Sequence, residues 1–163
     1  MKEVAKGDQF VRHGEHCNKV AFIDSGLFKI YSLKDGVEVN TCFCTEGTIT
    51  SSLASFVSGE PSLEVIQAIE DSTIVVLQKP DLLRLYEQSS AWQAVGRVMM
   101  EIECVRLSDR ATSLSFENAL EKYCNLLKTQ PDIINRVPVQ DIASHIGVTR
   151  ETMSRIRAKM ARE

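Results

Sequence analysis

Hydrophobic and polar positions alternate with a period of two through much of the first eighty residues, then change to a helical period. FKIYSL (28–33) and VEVNTCFC (37–44) alternate, with KDG between them. Asp35-Gly36 supplies the positive-φ residues of a tight hairpin turn. Asp24-Ser25-Gly26 separates KVAFI from GLFKIY, and EVIQAIE (64–70) and TIVVLQ (73–78) read as a further strand pair around Asp71-Ser72. Six or so short strands with frequent turns predict an antiparallel sandwich or barrel. No βαβ alternation is present, which argues against a parallel nucleotide-binding sheet.

Beyond residue 79 the apolar positions recur at helical spacing. PDLLRLYEQ (80–88) predicts a short helix with Pro80 in its first turn. A long proline-free helix is predicted over 91–116, where Ala91, Val95, Val98, Ile102 and Val105 follow a 4-3-4-3 spacing. That spacing makes an apolar seam suited to a second helix. Such a helix is about 37 Å long, more than a small sandwich needs for its own cover. A dimer seam is therefore expected, the alternative being a helix packed on its own domain. A further helix fits 115–130, with Ser115 as its cap and Pro131 after it.

Charge changes the picture at the C-terminal end. The chain of 163 residues has a net charge of −3, yet 136–163 holds six Lys/Arg against three Asp/Glu. An acidic body with a basic end suggests that the end alone meets a polyanion. Within that end, PVQDIASHI (138–146) predicts a short helix with Ile142 and Ile146 facing inward and Ala143 where a second helix crosses closely. Gly147 follows as the turn residue, Val148 plugs the turn, and Thr149 caps a helix that returns Met153 and Ile156 to the core. This is the pattern of a helix-turn-helix. The outward positions of its second helix are Arg150, Glu151, Ser154 and Arg155, with Arg157 beside them. Arginine offers a fork for guanine O6 and N7, and glutamate accepts from cytosine N4. The alternative is a helical hairpin whose charged face is merely solvated.

These features together resemble the Crp/Fnr family of bacterial transcription regulators, in the manner of members common in Bacteroidetes. The likeness runs from KGDQFVRHGEHCNKVAFIDSGLFKIY, similar to the opening strands of a cyclic-nucleotide-binding-like jelly roll, through the long helix to RVPVQDIASHIGVTRETMSRIRAKM. The resemblance implies an α+β chain: a jelly-roll sensor-like domain over 1–90, a dimerisation helix over 91–114 and a helix-turn-helix DNA-binding domain over 115–163. It implies a homodimer on double-stranded DNA with a two-fold-symmetric operator. Arg150, Glu151 and Arg155 match the family's base-reading positions, and Ser154 lies among them. Arg136, Thr149, Arg157 and Lys159 are candidates for phosphate contacts.

The family's ligand cassette resembles G-x-x-x-G-E followed by R-S, in which the glutamate holds a ribose hydroxyl and the arginine the cyclic phosphate. Here EGTITSSLASFVSGEPSLEVIQA aligns without gaps: Gly47 matches the first glycine, Ser51 and Ser52 replace G-E, and Ser62 and Leu63 replace R-S. Without an arginine a buried phosphate loses its charge-assisted bonds, so cAMP is not expected to bind tightly. Gly59-Glu60 comes too late in the cassette to substitute. The chain also stops at Glu163 before the wing that often follows the second helix, which predicts fewer phosphate contacts and weaker binding. Met1 stands nearly at the first strand, where relatives carry an extra helix and strand.

The remaining chemistry is sparse. His13, Glu15 and His16 are too few for a metal centre. Five cysteines (17, 42, 44, 104 and 124), odd in number and irregularly spaced, predict reduced thiols rather than a disulfide framework. Cys42 and Cys44 share one face of a strand, which does not favour a disulfide between them. Only Cys17 lies where the family's iron–sulfur branch carries a cysteine cluster. No nucleophile–base–acid set, phosphate loop or paired carboxylates carry an enzymatic reading. No cofactor, no membrane span and a cytoplasmic location are expected. Two other readings stay open: a regulator switched by a cyclic nucleotide or other small molecule through non-standard residues, and a dimeric interaction protein with a vestigial helix-turn-helix.

Overall fold

The computed structural model describes residues 1–160. Eight strands form two four-stranded antiparallel sheets. The strands are β1 (Lys2–Val4), β2 (Gln9–Val11), β3 (Lys19–Ser25), β4 (Phe28–Lys34), β5 (Val37–Cys44), β6 (Ile49–Thr50), β7 (Glu64–Ala68) and β8 (Ser72–Gln78). One sheet runs β1-β8-β3-β6 and the other β2-β7-β4-β5. The β4–β5 hairpin turns through Asp35 and Gly36, whose φ of 52° and 77° fit the predicted two-residue turn.

The predicted pairing of 64–70 with 73–78 is corrected. β7 pairs with β2 and β4, whereas β8 pairs with β1 and β3, so the turn at Asp71 crosses from one sheet to the other. The turn before β4 crosses in the same way. It needs glycine: Gly26 has φ 106°, and a β-carbon there would lie 2.1 Å from Ser72 Oγ. Phe28, Ile23, Ile66, Ile74 and Val11 fill the space between the sheets.

Seven helices are described: α1 (Leu53–Ser58), α2 (Lys79–Gln88), α3 (Ser90–Phe116), α4 (Ala119–Thr129), α5 (Ile133–Arg136), α6 (Val139–Ile146) and α7 (Arg150–Met160). The expected cap at Ser115 is corrected too. Ser115 lies inside α3, and α4 is capped by Asn118, whose side chain accepts from the Leu120 and Glu121 amides while Glu121 reaches back to the Asn118 amide. That reciprocal pair satisfies amides that the helix cannot.

A second core joins sandwich to helices. Leu27 and Phe43 leave the jelly roll to pack with Tyr123, Ile133, Ile142, Ala143, Ile146 and Met153. Phe43 can do this because its neighbours Cys42 and Cys44 point the other way, toward the sandwich interior. By contrast, α3 has no buried residue along its 27 positions. Its half-buried positions Glu103, Arg106, Arg110 and Ser113 share a face, while Val95, Val98, Ile102 and Val105 are 41–61% exposed. Among the described residues no helix is long and apolar enough to cross a membrane.

Candidate functional site

The helix pair α6–α7 is set by a few residues. Gly147 takes φ 86° and its amide reaches the Ala143 and Ser144 carbonyls, while the Val148 amide also reaches Ala143. These bonds close α6, and positive φ there strains any residue with a β-carbon. Thr149 then starts the second helix: its hydroxyl accepts from the Thr152 amide at 3.2 Å. Ile142, Ala143 and Met153 are fully buried between the helices.

With that side fixed inward, Arg150, Glu151, Ser154 and Arg155 emerge together as exposed residues. Thr149 and Lys159 are exposed and Arg157 is half-buried. Arg155 donates to the Thr152 hydroxyl at 3.1 Å, which holds it along the helix. The Glu151 carboxyl lies below its ordinary range because its own backbone amide and then the Thr149 hydroxyl donate to it. No ion pair among the described residues involves Arg150, Arg155, Arg157 or Lys159.

Arg136 is placed otherwise. Its guanidinium grips Glu46 on the sandwich at 2.6 and 3.0 Å and also pairs with Glu70. With its fork occupied by two carboxylates, Arg136 is withdrawn from the phosphate-contact set in this arrangement. The Glu46 carboxyl is correspondingly held down to about 2, chiefly by Arg136.

A docking surface that the sequence pattern did not disclose lies between β5 and α6. The Ser144 hydroxyl donates to the Glu38 carbonyl at 2.7 Å and accepts from the Asn40 amide at 3.0 Å. The Asn40 side-chain amide reaches Asp141. Lys29, 7% exposed, bridges Glu38 at 2.6 Å and Asp141 at 3.2 Å. Burial disfavours its charge, but the two carboxylates outweigh that and raise its pKa. His145 packs on Phe43 with ring centroids 5.1 Å apart, and Arg110 of α3 lies 3.3 Å from its Nε2. Only alternation on β5 and the helical face of α6 hinted at these contacts, and neither says which elements meet.

The cassette residues lie between β5 and β7. Gly47 takes φ 77° in the turn before β6. Ser51 donates to the Lys19 carbonyl at 3.0 Å. Ser52 and Ser62, each 1% exposed, stand 2.8 Å apart, hydroxyl to hydroxyl. Ser52 also reaches the Glu64 carboxylate, and Ser62 the Glu64 backbone. Leu63 points outward, 73% exposed. The buried hydroxyls are thus satisfied by each other and by Glu64.

The chain is thus a two-sheet antiparallel jelly roll followed by a long uncovered helix and a terminal helix pair with a charged outward face. Residues 1–89 match the family model described as "Cyclic nucleotide-binding domain", and the chain belongs to that family. It is 25% identical over 107 residues to the "Transcriptional regulatory protein btr" of Bordetella pertussis, an alignment covering 59% of this chain and 44% of that protein. The chain thus matches less than half the length of this curated relative. The fold is shared with FixK2 from Bradyrhizobium japonicum, with a TM-score of 0.82 and 19% identity over 98% of this chain and 83% of that one. It is also shared with a transcriptional regulator of the CRP family from Thermus thermophilus, with a TM-score of 0.75 and 14% identity over 99% and 85% of the two chains.

Proposed function

We propose that this chain is a Crp/Fnr-type transcription regulator that binds double-stranded DNA as a homodimer and reads sequence through α7. The observation that carries this reading is the cluster of Arg150, Glu151, Ser154 and Arg155, exposed together on a helix whose opposite face is buried against α6. Early outward residues of such a second helix are the ones that reach base edges in a major groove. Thr149, Arg157 and Lys159 serve as phosphate contacts, which position the helix without reading sequence. The seam Val95, Val98, Ile102 and Val105 pairs two copies, and pairing matches a two-fold operator. Similarity to regulators of transcription supports the same reading. Five free cysteines suit a reducing, cytoplasmic setting.

The cassette is read as degenerate toward cyclic nucleotides. Ser52 and Ser62 replace the carboxylate and guanidinium that a cyclic ribose phosphate requires, and their hydroxyls are already paired. No reaction is proposed for the chain. Replacing Arg155 with Ala should weaken operator binding by about 1–3 kcal/mol and relax selectivity at one base pair. Full selectivity in that variant would remove Arg155 from the reading set. Calorimetry with cAMP and cGMP should give no heat; saturable heat would favour an effector-switched regulator instead.

A further inference from the structure

Cys42 and Cys44 lie on the same face of β5, with sulfurs 3.9 Å apart. Cys44 is buried and Cys42 is half-buried, within reach of the charges of Glu103, Arg106 and Arg110 on α3. The pairing of β5 with β4 is interrupted between Asn40 and Cys42, where Thr41 is the extra residue, but runs regularly from Cys42 to Cys44. Alternate residues of a regular strand have Cα atoms about 6.6 Å apart. That sits near the upper limit, about 6.8 Å, for a disulfide, and the side chains run parallel rather than converging. The pair is close enough to share a ligand and poorly arranged to oxidise internally.

Positive charge approaches the pair from α3. Arg106 and Arg110 of α3 bring positive charge to the pair, opposed by Glu103, which Arg106 grips through two hydrogen bonds. The hydrogen bond between the two thiols draws Cys42 below its ordinary range and, with burial, pushes Cys44 well above it, so both lose their protons only to a bound cation. A further observation points at the same spot. Thr50, 2% exposed, has a hydroxyl with no hydrogen-bond partner, and it lies beside Cys44. A thiolate at Cys44 would accept from it.

We propose that Cys42 and Cys44 form a two-thiolate site for a soft monovalent metal ion, with copper(I) as the biological occupant. Among the described residues no group of three or more His, Cys, Asp or Glu side chains could hold a metal. Two thiolates cannot complete the four-coordinate shell that structural zinc or an iron–sulfur cluster takes. They do satisfy a soft ion that is content with two sulfur ligands. With thiolate–metal bonds of about 2.3 Å, a bridged pair needs sulfurs roughly 4–4.6 Å apart, so the present separation has only to open slightly. On binding, two S–H protons leave to solvent and two S–metal bonds form, with no change in oxidation state. The bridged pair carries one net negative charge, which Arg106 and Arg110 face. Arg110 also contacts His145, so the ion would sit one residue from the α6 docking surface.

The test titrates the reduced chain with copper(I) under anaerobic conditions, in competition with a copper(I)-selective chelator, with metal content and sulfur-to-copper charge-transfer absorption as readouts. One copper(I) per chain is expected, lost in Cys42→Ser and in Cys44→Ser but kept in Cys104→Ser and Cys124→Ser. X-ray absorption should give two sulfur neighbours. Because Cys44 is buried, circular dichroism of each variant verifies folding, and the half-buried Cys42→Ser alone is sufficient for the test. Chelator winning at every ratio, or binding unaffected by folded Cys42→Ser, would overturn the proposal. So would dependence on Cys104, or a mass loss of two hydrogens mapped to 42–44 under mild oxidant, which would assign the pair to disulfide chemistry.

Discussion

Acidification should loosen α6 from β5 through His145. Burial, then the positive charges of Arg110, Arg106 and Lys122, push this imidazole down to about 4, against a backbone hydrogen bond at Asn40. An unfolded histidine takes its proton near pH 6.5. The charged form is therefore disfavoured in the folded chain. Stability from this group is complete above about pH 6.5, falls as the pH drops toward about 4, and is flat below that. At about 1.4 kcal/mol per pH unit the whole loss is ~3 kcal/mol, of which ~2 kcal/mol is reached by pH 5. For a chain of this size ~2 kcal/mol lowers Tm by roughly 4–8 °C. The assay compares thermal unfolding at pH 7.5 and pH 5 for the wild type and His145→Gln, with an NMR titration of the histidine ring protons. The wild type should lose that much more Tm than the variant, because other groups titrate alike in both. A His145 resonance titrating near pH 6.5, or equal Tm losses, would show that burial does not hold His145 neutral.

Other outcomes follow from the same contacts. Ile102→Glu places a charge on a 58% exposed apolar seam, so sedimentation should show a monomer with little change in its own unfolding. A persistent dimer would move the seam elsewhere. Gly26→Ala, with its β-carbon 2.7 Å from the Ser72 Cα and φ at 106°, should cost about 2 kcal/mol or more in urea unfolding. Arg136→Gln should return the Glu46 carboxyl from about 2 toward the ordinary range, seen by carboxyl NMR. The pair's stabilisation is present above the ordinary carboxylate pKa and is lost as pH falls toward about 2. Glu46 is partly exposed, so the loss of the pair should be about 1 kcal/mol or less.

Much of this architecture is legible along the chain because local rules suffice for it. Asp35-Gly36 specifies its hairpin, and α2, α3, α6 and α7 follow from apolar spacing and from Pro80 and Gly147. The outward set on α7 follows from the inward positions of Met153 and Ile156. Where the reading fails, the information is not local. A turn such as Asp71-Ser72 looks the same whether it closes a hairpin or crosses between sheets. Six-residue α1 is too short for a period to register, and Asn118 outcompetes Ser115 because its capping box with Glu121 completes both bonds. The clasp of Arg136 and the dock of Ser144 on Asn40 join residues about a hundred apart or nearly so, which only the folded chain brings together.

The proposed reading of DNA sequence by α7 is open to a direct test. The purified chain is selected against a randomised duplex library, at low and near-physiological salt. An enriched inverted repeat is expected at both salts with no added effector, with loss of selectivity at one position per half-site for Arg155→Ala. Uniform recovery of sequences at both salts would contradict it.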